Sequence, residues 1–303
     1  MDPMEMCVFT TIRKRAVLLA TGMAAGIALI SAGTAAGATT LHAAPPAVAA
    51  AADRAAIIGG RTASEPYAFM VSLRLPSLPA HHCGGSLVAP DWVVTAAHCE
   101  GLLKPGKTRV RVGSPDRDKG GSVAGVERVI TFPHRYDSRL GKVPEGDLAL
   151  VKLDRRVPET PIRIADAPGR VGEPTRVIGW GMTCEYRRTC GAGPQQLREL
   201  DTVRLADQRC TSLDHGTEVC TGALSGKAAN ACNGDSGGPQ IRRVAGRWEL
   251  IGATSRDGDD KDQRTGGSAG CATTPDGRPG AGIWTDVTHY RSWIDDVIAQ
   301  DGR

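Results

Sequence analysis

From residue 68 to residue 287 the apolar residues come in short runs, each bounded by glycine, proline or aspartate. Residues 68–75, 84–88, 92–95, 109–112, 126–132 and 148–153 form a first set, several of them alternating or β-branched. A proline-rich, charged connector spans 154–174, and a second set follows at 176–180, 196–205, 240–244, 248–254 and 282–287. Such punctuation predicts an all-β barrel or sandwich. One helix is expected over about 288–299, where Tyr290, Trp293, Ile294, Val297 and Ile298 share a face and Thr288 stands as its cap. It is expected to pack on the second strand set.

The first 56 residues differ from the rest. Arg13, Lys14 and Arg15 precede an apolar stretch rich in alanine and glycine. That order reads as a secretory signal over 1–38, with cleavage after Ala38 or, a few residues later, after Ala43. The stretch is long enough for a membrane anchor, but its small residues favour the signal. Residues 39–56, with Pro45 and Pro46, lack hydrophobic periodicity and read as a propeptide. The remaining body, 57–303, is large enough to bury a substantial core. It keeps 33 basic and 30 acidic side chains, a net charge of +3 without a basic run, so no nucleic-acid partner is expected. No segment after residue 56 is expected to cross a membrane, and a monomer is expected.

Cys7 lies in the leader, leaving eight cysteines: Cys83, Cys99, Cys184, Cys190, Cys210, Cys220, Cys232 and Cys271. An even set behind a signal implies disulfides formed outside the cytosol, with the pairing left open by the sequence itself. No CxxC pair points to zinc, and the Asp-rich loops lack the EF-hand spacing for calcium, so no cofactor or metal is expected.

Three further stretches carry chemistry. Cys232-Asn233-Gly234-Asp235-Ser236-Gly237-Gly238-Pro239 sets a serine among small residues. Thr95-Ala96-Ala97-His98-Cys99 lies upstream, and Asp147 opens the apolar run between them. A serine hydroxyl is a poor nucleophile at neutral pH and needs a base within reach. Histidine, aspartate and serine here follow the chain order of one particular triad. In these motifs the chain resembles the trypsin/chymotrypsin family of serine peptidases, over about residues 57–298.

The resemblance implies two six-stranded antiparallel Greek-key barrels of chymotrypsin-like fold, at about 57–157 and 175–287, followed by the C-terminal helix. It implies a secreted serine endopeptidase, made as a zymogen and acting on protein or peptide substrates. His98, Asp147 and Ser236 would be its triad, and the N–H groups of Gly234 and Ser236 its oxyanion hole. Ile57-Ile58-Gly59-Gly60 would be the mature N-terminus, released by an activating peptidase and pairing with Asp235. The implied disulfides are Cys83–Cys99, Cys210–Cys220 and Cys232–Cys271, with Cys184–Cys190 remaining.

The sequence departs from the family pattern in places. Ala56 stands where a basic residue is usual, so a cut other than a tryptic one is expected. Asn230 occupies the floor of the implied specificity pocket, with Ser255, Asp257 and Gly282 on its walls, and gives no charge to select a cationic side chain. Arg256 replaces a tryptophan. Asp257, Asp259 and Asp260 are left as either attractors of a basic residue or solvated loop. The other histidines of the body, including His81 and His82, receive no role and are expected at the surface. One rival is an inactive binding protein on the same fold; the other is an esterase, for which Gly234-Asp235-Ser236-Gly237-Gly238 fits the elbow pattern but the helices are missing.

Overall fold

The computed structural model describes residues 57–75, 80–133, 146–184, 193–211, 213–259, 271–273 and 279–302. The two strand sets close separately into barrels. In the first, β2 (Met70–Arg74), β3 (His81–Ala89), β4 (Trp92–Thr95), β5 (Arg109–Val112), β6 (Ser122–Thr131) and β7 (Ala149–Leu153) are ordered β2-β3-β4-β7-β6-β5, with β5 returning to β2. The second contains β8 (Pro174–Gly179), β9 (Arg198–Arg204), β10 (Glu218–Ala223), β11 (Pro239–Val244), β12 (Arg247–Asp257) and β13 (Ala281–Asp286). Their order is β9-β10-β13-β12-β11-β8, and β8 pairs with β9 to close it. A two-residue strand, β1 (Arg61–Thr62), adds to β9 from outside. All of these pairings are antiparallel, so closure leaves few open edges.

Strand periodicity sets the burial. In β5, Val110 and Val112 are buried while Arg109 is exposed. β4 is buried on both faces, inside its barrel and against the neighbouring structure. One apolar cluster runs through the first barrel and into the second, joining Leu87, Val94 and Leu150 to Ile178, Ile241 and Leu250. The seam between the barrels is therefore core rather than a wet interface.

Several expectations need correction. Strands β1 and β10 escaped the sequence reading; β10 reads Glu-Val-Cys-Thr-Gly-Ala, too polar and too glycine-marked to show as a run. The C-terminal helix α1 spans Arg291–Asp301, and Tyr290 rather than Thr288 is its N-cap residue. Thr288 instead turns back on Asp286, its hydroxyl donating to Oδ1 at 2.6 Å. Nor does the helix lie only on the second barrel. Phe132, after β6, meets the rings of Tyr290 at 4.7 Å and Trp293 at 5.3 Å, and Asp301 pairs with Lys152 of β7 at 2.5 Å. The anticipated apolar stripe holds: Tyr290 and Ile294 are buried, with Trp293, Val297 and Ile298 packed around them.

The start of the described chain is inserted into the second barrel. Ile57 is fully buried in a cluster with Val177, Leu200, Val219 and Trp284. Ile58 bridges Asn230, whose N–H donates to the Ile58 carbonyl at 3.1 Å. Ile57 has φ of 47°, a left-handed conformation that strains a β-branched residue. No helix among the described residues is long and apolar enough to cross a membrane.

Trp92 is 1% exposed at the start of β4, with Lys152 and Arg128 over its ring at 5.2 and 5.6 Å. Trp92→Ala is expected to cost about 3–5 kcal/mol through lost burial and the cavity left behind. Urea denaturation monitored by circular dichroism measures it, with the midpoint falling sharply.

Candidate active site

Asp147 sits at the entrance to β7, and its buried carboxylate is shared by both barrels. From the first barrel, the His98 backbone N–H donates to Oδ1 at 3.0 Å and the ring Nδ1 lies 2.9 Å from Oδ2. From the second, the Ser255 hydroxyl donates to Oδ2 at 2.6 Å, and the Thr285 hydroxyl donates to the Asp147 carbonyl at 2.9 Å. Burial alone would push the Asp147 carboxyl up, but the charge and hydrogen bonds of His98, with Ser255, hold it below the usual carboxylate range. Burial likewise disfavours a charged His98, yet the adjacent Asp147 outweighs it and raises the imidazole. The ring nitrogen facing Asp147 is thus held as a donor.

His98 belongs to a 3-10 turn, Ala97–Leu102, pinned to β3 by the Cys83–Cys99 disulfide. Ser236 lines the same cleft as His98, half-buried on the loop before β11. The loop is tied down by its backbone. Gly84 N–H of β3 donates to the Ser236 carbonyl at 2.8 Å, and a side chain at Gly84 would stand 2.8 Å from the Gly238 Cα. Among the described residues the N–H groups of Asp235, Gly237 and Gly238 donate to carbonyls within the loop or on β12, whereas those of Gly234 and Ser236 donate to none. Gly234 has φ of 101°, reachable without strain only by glycine. Two N–H groups of this loop, those of Gly234 and Ser236, are therefore left without a backbone acceptor among the described residues.

Asp235, beneath that loop, is fully buried. It accepts from Gly181 N–H at 2.8 Å and Cys232 N–H at 2.9 Å. Burial pushes it up to about 7, the two hydrogen bonds opposing only part of the effect. Among the described residues no cation pairs with it.

His81 corrects the sequence reading. It is not a surface histidine: its ring packs edge-on against Trp180, Nδ1 lies 2.8 Å from the Ser72 hydroxyl, and Nε2 lies 2.8 Å from the Gly234 carbonyl. Desolvation lowers it to about 4, so it stays neutral and fixes the Gly234 peptide from behind. Its position two residues before Cys83, on a strand leading to the disulfide, was the available signal.

A second pocket of about 200 Å³ opens beside Ser236 and is lined by Asn230, Ser255, Arg256, Asp257, Gly282 and Trp284 among others. The Asn230 amide is spent at both ends, donating to the Cys271 carbonyl and accepting from Ala231 N–H, each at 2.9 Å. A side chain at Gly282 would collide with Trp284 and Asn230. Arg256 is held by Glu218 of β10 through two hydrogen bonds, the longer at 2.7 Å, with both side chains largely buried. An arginine in place of a tryptophan demands a buried carboxylate, and that demand was the signal for Glu218. Asp259 is neither solvated nor in the pocket: it pairs with Arg209 and accepts from Ala281 N–H. Asp260 lies outside the described residues.

Cys210–Cys220 and Cys232–Cys271 are also bonded, the latter spanning a separation of 39 residues across the pocket wall. Cys184 is disulfide-bonded, while its expected partner Cys190 lies outside the described residues.

The sequence model of the family described as Trypsin matches residues 57–294. A trypsin of Sarcophaga bullata is 34% identical over 249 residues, covering 78% of this chain and 86% of its own. Trypsin theta of Drosophila melanogaster is 33% identical, over 78% and 84% of the two chains. A trypsin-like protease of Streptomyces glaucescens is 32% identical, over 88% and 91%.

The pair of His98 and Asp147 makes a direct expectation. The His98 imidazole should titrate above its ordinary 6.5, and Asp147→Asn should drop it below that value, because burial then acts without the opposing charge. Titration of the histidine ring protons by NMR distinguishes the two proteins.

Proposed function

Because this chain belongs to the trypsin family and is a serine endopeptidase, we propose that Ser236, His98 and Asp147 carry out its peptide hydrolysis. The carrying observation is the buried Asp147–His98 pair, opening on a cleft that Ser236 also lines. Ser236 Oγ attacks the scissile carbonyl carbon while His98 takes its proton. Negative charge moves to the carbonyl oxygen, where the N–H groups of Gly234 and Ser236 receive it. Collapse expels the amine, which takes the proton from His98, and leaves an acyl group on Ser236. Water then repeats the sequence and frees the acid. Asp147 keeps the imidazole in one tautomer and balances the imidazolium.

The same reading covers maturation. A secretory signal over 1–38 and a propeptide over 39–56 would deliver an inactive precursor to an oxidising compartment, where the disulfides are stable. A cut before Ile57 would create an α-ammonium group in the buried cluster beside the Asp235 loop. Pairing would offset the cost of the Asp235 charge and hold Gly234 in place. Ala56 argues for an activating cut other than a tryptic one. For the specificity pocket, Asn230 supplies a neutral amide, and Arg256 and Asp257 are its charged lining residues. A cleavage profile on a peptide library reads out which side chain it accepts.

Ser236→Ala should lose labelling by an active-site fluorophosphonate and nearly all turnover while keeping its melting temperature. A residual rate of ~10³–10⁴ over the uncatalysed reaction can survive through binding and the oxyanion donors. Retention of a tenth of the wild-type rate would refute the nucleophile assignment. Active secreted enzyme should begin at Ile57 on N-terminal sequencing. Full activity in chains beginning well upstream would remove the zymogen reading and leave the triad standing.

A further inference from the structure

The cleft holding His98 is separate from the pocket of Asn230, and Ser236 and Asn233 border both. A general acid must face the nitrogen it protonates, so the cleft on the His98 side receives the leaving-group segment of the substrate. This cleft, about 510 Å³, is lined by His81, His82, Arg117, Trp180, Met182 and Asn233 among others, and no carboxylate is among its described lining residues.

Arg117 lies on the loop after β5. That loop is held to the second barrel by the Asp116–Gln196 bridge and by Arg117 N–H donating to the Gln195 carbonyl at 3.0 Å. The Arg117 side chain is only 16% exposed, yet among the described residues its nearest carboxylate is Asp118, 3.8 Å from Nε and beyond hydrogen-bond range, with the charge of Asp116 acting less strongly. Asp118 is already taken by Arg74, at 2.5 Å. Two guanidinium groups thus share one carboxylate, and Arg117 has the weaker claim. Burial without a close partner holds Arg117 below the usual arginine range.

The positive potential continues outward. Arg74 donates to the Arg117 carbonyl at 3.1 Å and also lines a hollow of about 240 Å³ with Lys107, Arg109 and Arg111; no carboxylate is among its described lining residues, while Asp118 pairs with Arg74 and Asp154 lies 3.6 Å from Arg109.

We propose that the enzyme selects substrates with acidic residues on the leaving-group side of the scissile bond, with Arg117 binding the first such carboxylate inside the cleft. The hollow of Arg74, Lys107, Arg109 and Arg111 attracts further acidic residues of the same segment. This rests on Ser236 and His98 acting as proposed above. A guanidinium with unspent donors gains two charge-assisted hydrogen bonds from a carboxylate and only weaker ones from an amide.

The test uses two internally quenched peptides with the same acyl-side sequence. One carries Glu at the second and third residues after the scissile bond, and the other carries Gln there. The wild-type enzyme should cleave the Glu peptide with a kcat/KM about tenfold higher, an advantage that shrinks as salt is raised toward ~0.5 M. In Arg117→Gln the ratio should fall toward one; Arg117→Lys should retain part of it; Arg117→Glu should turn preference toward a Lys peptide. A wild-type ratio of one, or a ratio that Arg117→Gln leaves unchanged, overturns the proposal. Wild-type turnover of a chromogenic anilide, which has no residues beyond its leaving group, is the separate control. Its absence, together with absent fluorophosphonate labelling, would count against the Ser236 assignment instead.

Discussion

A single buried carboxylate organises this molecule. Asp147 is 1% exposed, and an ionised group at such depth is costly unless its lone pairs are met by donors. The donors come from two directions, His98 on the first barrel and Ser255 on the second, while Thr285 of β13 holds the Asp147 backbone. Neither barrel alone can satisfy it. The carboxylate is therefore fully met only where the barrels pack together, and the apolar cluster that crosses the seam supplies the drive for that packing.

Around the serine, rigidity comes from close backbone approach rather than from side chains. A Cβ on Gly181 would fall 2.1 Å from an Asp235 oxygen, and one on Gly237 would fall 2.0 Å from the Thr95 hydroxyl. Such spacing leaves room for glycine alone. His81 adds its support by bonding the Gly234 carbonyl, which holds the Gly234–Asp235 peptide group without occupying the N–H of Gly234 or Ser236. The two N–H groups left over are therefore a product of geometry fixed elsewhere.

Much of this was legible in the sequence because the relevant signals are local. Arg109–Val112 and Trp92–Thr95 were bounded correctly, since alternation in one and a continuous β-branched core in the other are read within four residues. The motifs around His98, Asp147 and Ser236 were visible for the same reason. What escaped depended on distant partners. Glu218 looks like an ordinary polar strand residue until Arg256 is placed against it. His81 looks exposed until Ser72, Trp180 and Gly234 enclose it. Thr288 matched a capping pattern, but Asp286, two residues earlier, competes for its hydroxyl and delays the helix to Arg291. The reach of the helix back to Phe132 and Lys152 needed the packing of the whole chain.

The left-handed turn of the chain at Ile57 gives a cut at that point a direction. The torsion φ exists only while a preceding carbonyl carbon is attached, so a β-branched residue at 47° is under strain in an intact chain and under none once it begins one. A residue held in such a region stores on the order of 1–3 kcal/mol. In a chain cut before Ile57 that energy would be released at a residue that lies within an apolar cluster. Local geometry would thus work as a ratchet: a severed form would relax, and rejoining the ends would mean winding the strain back in.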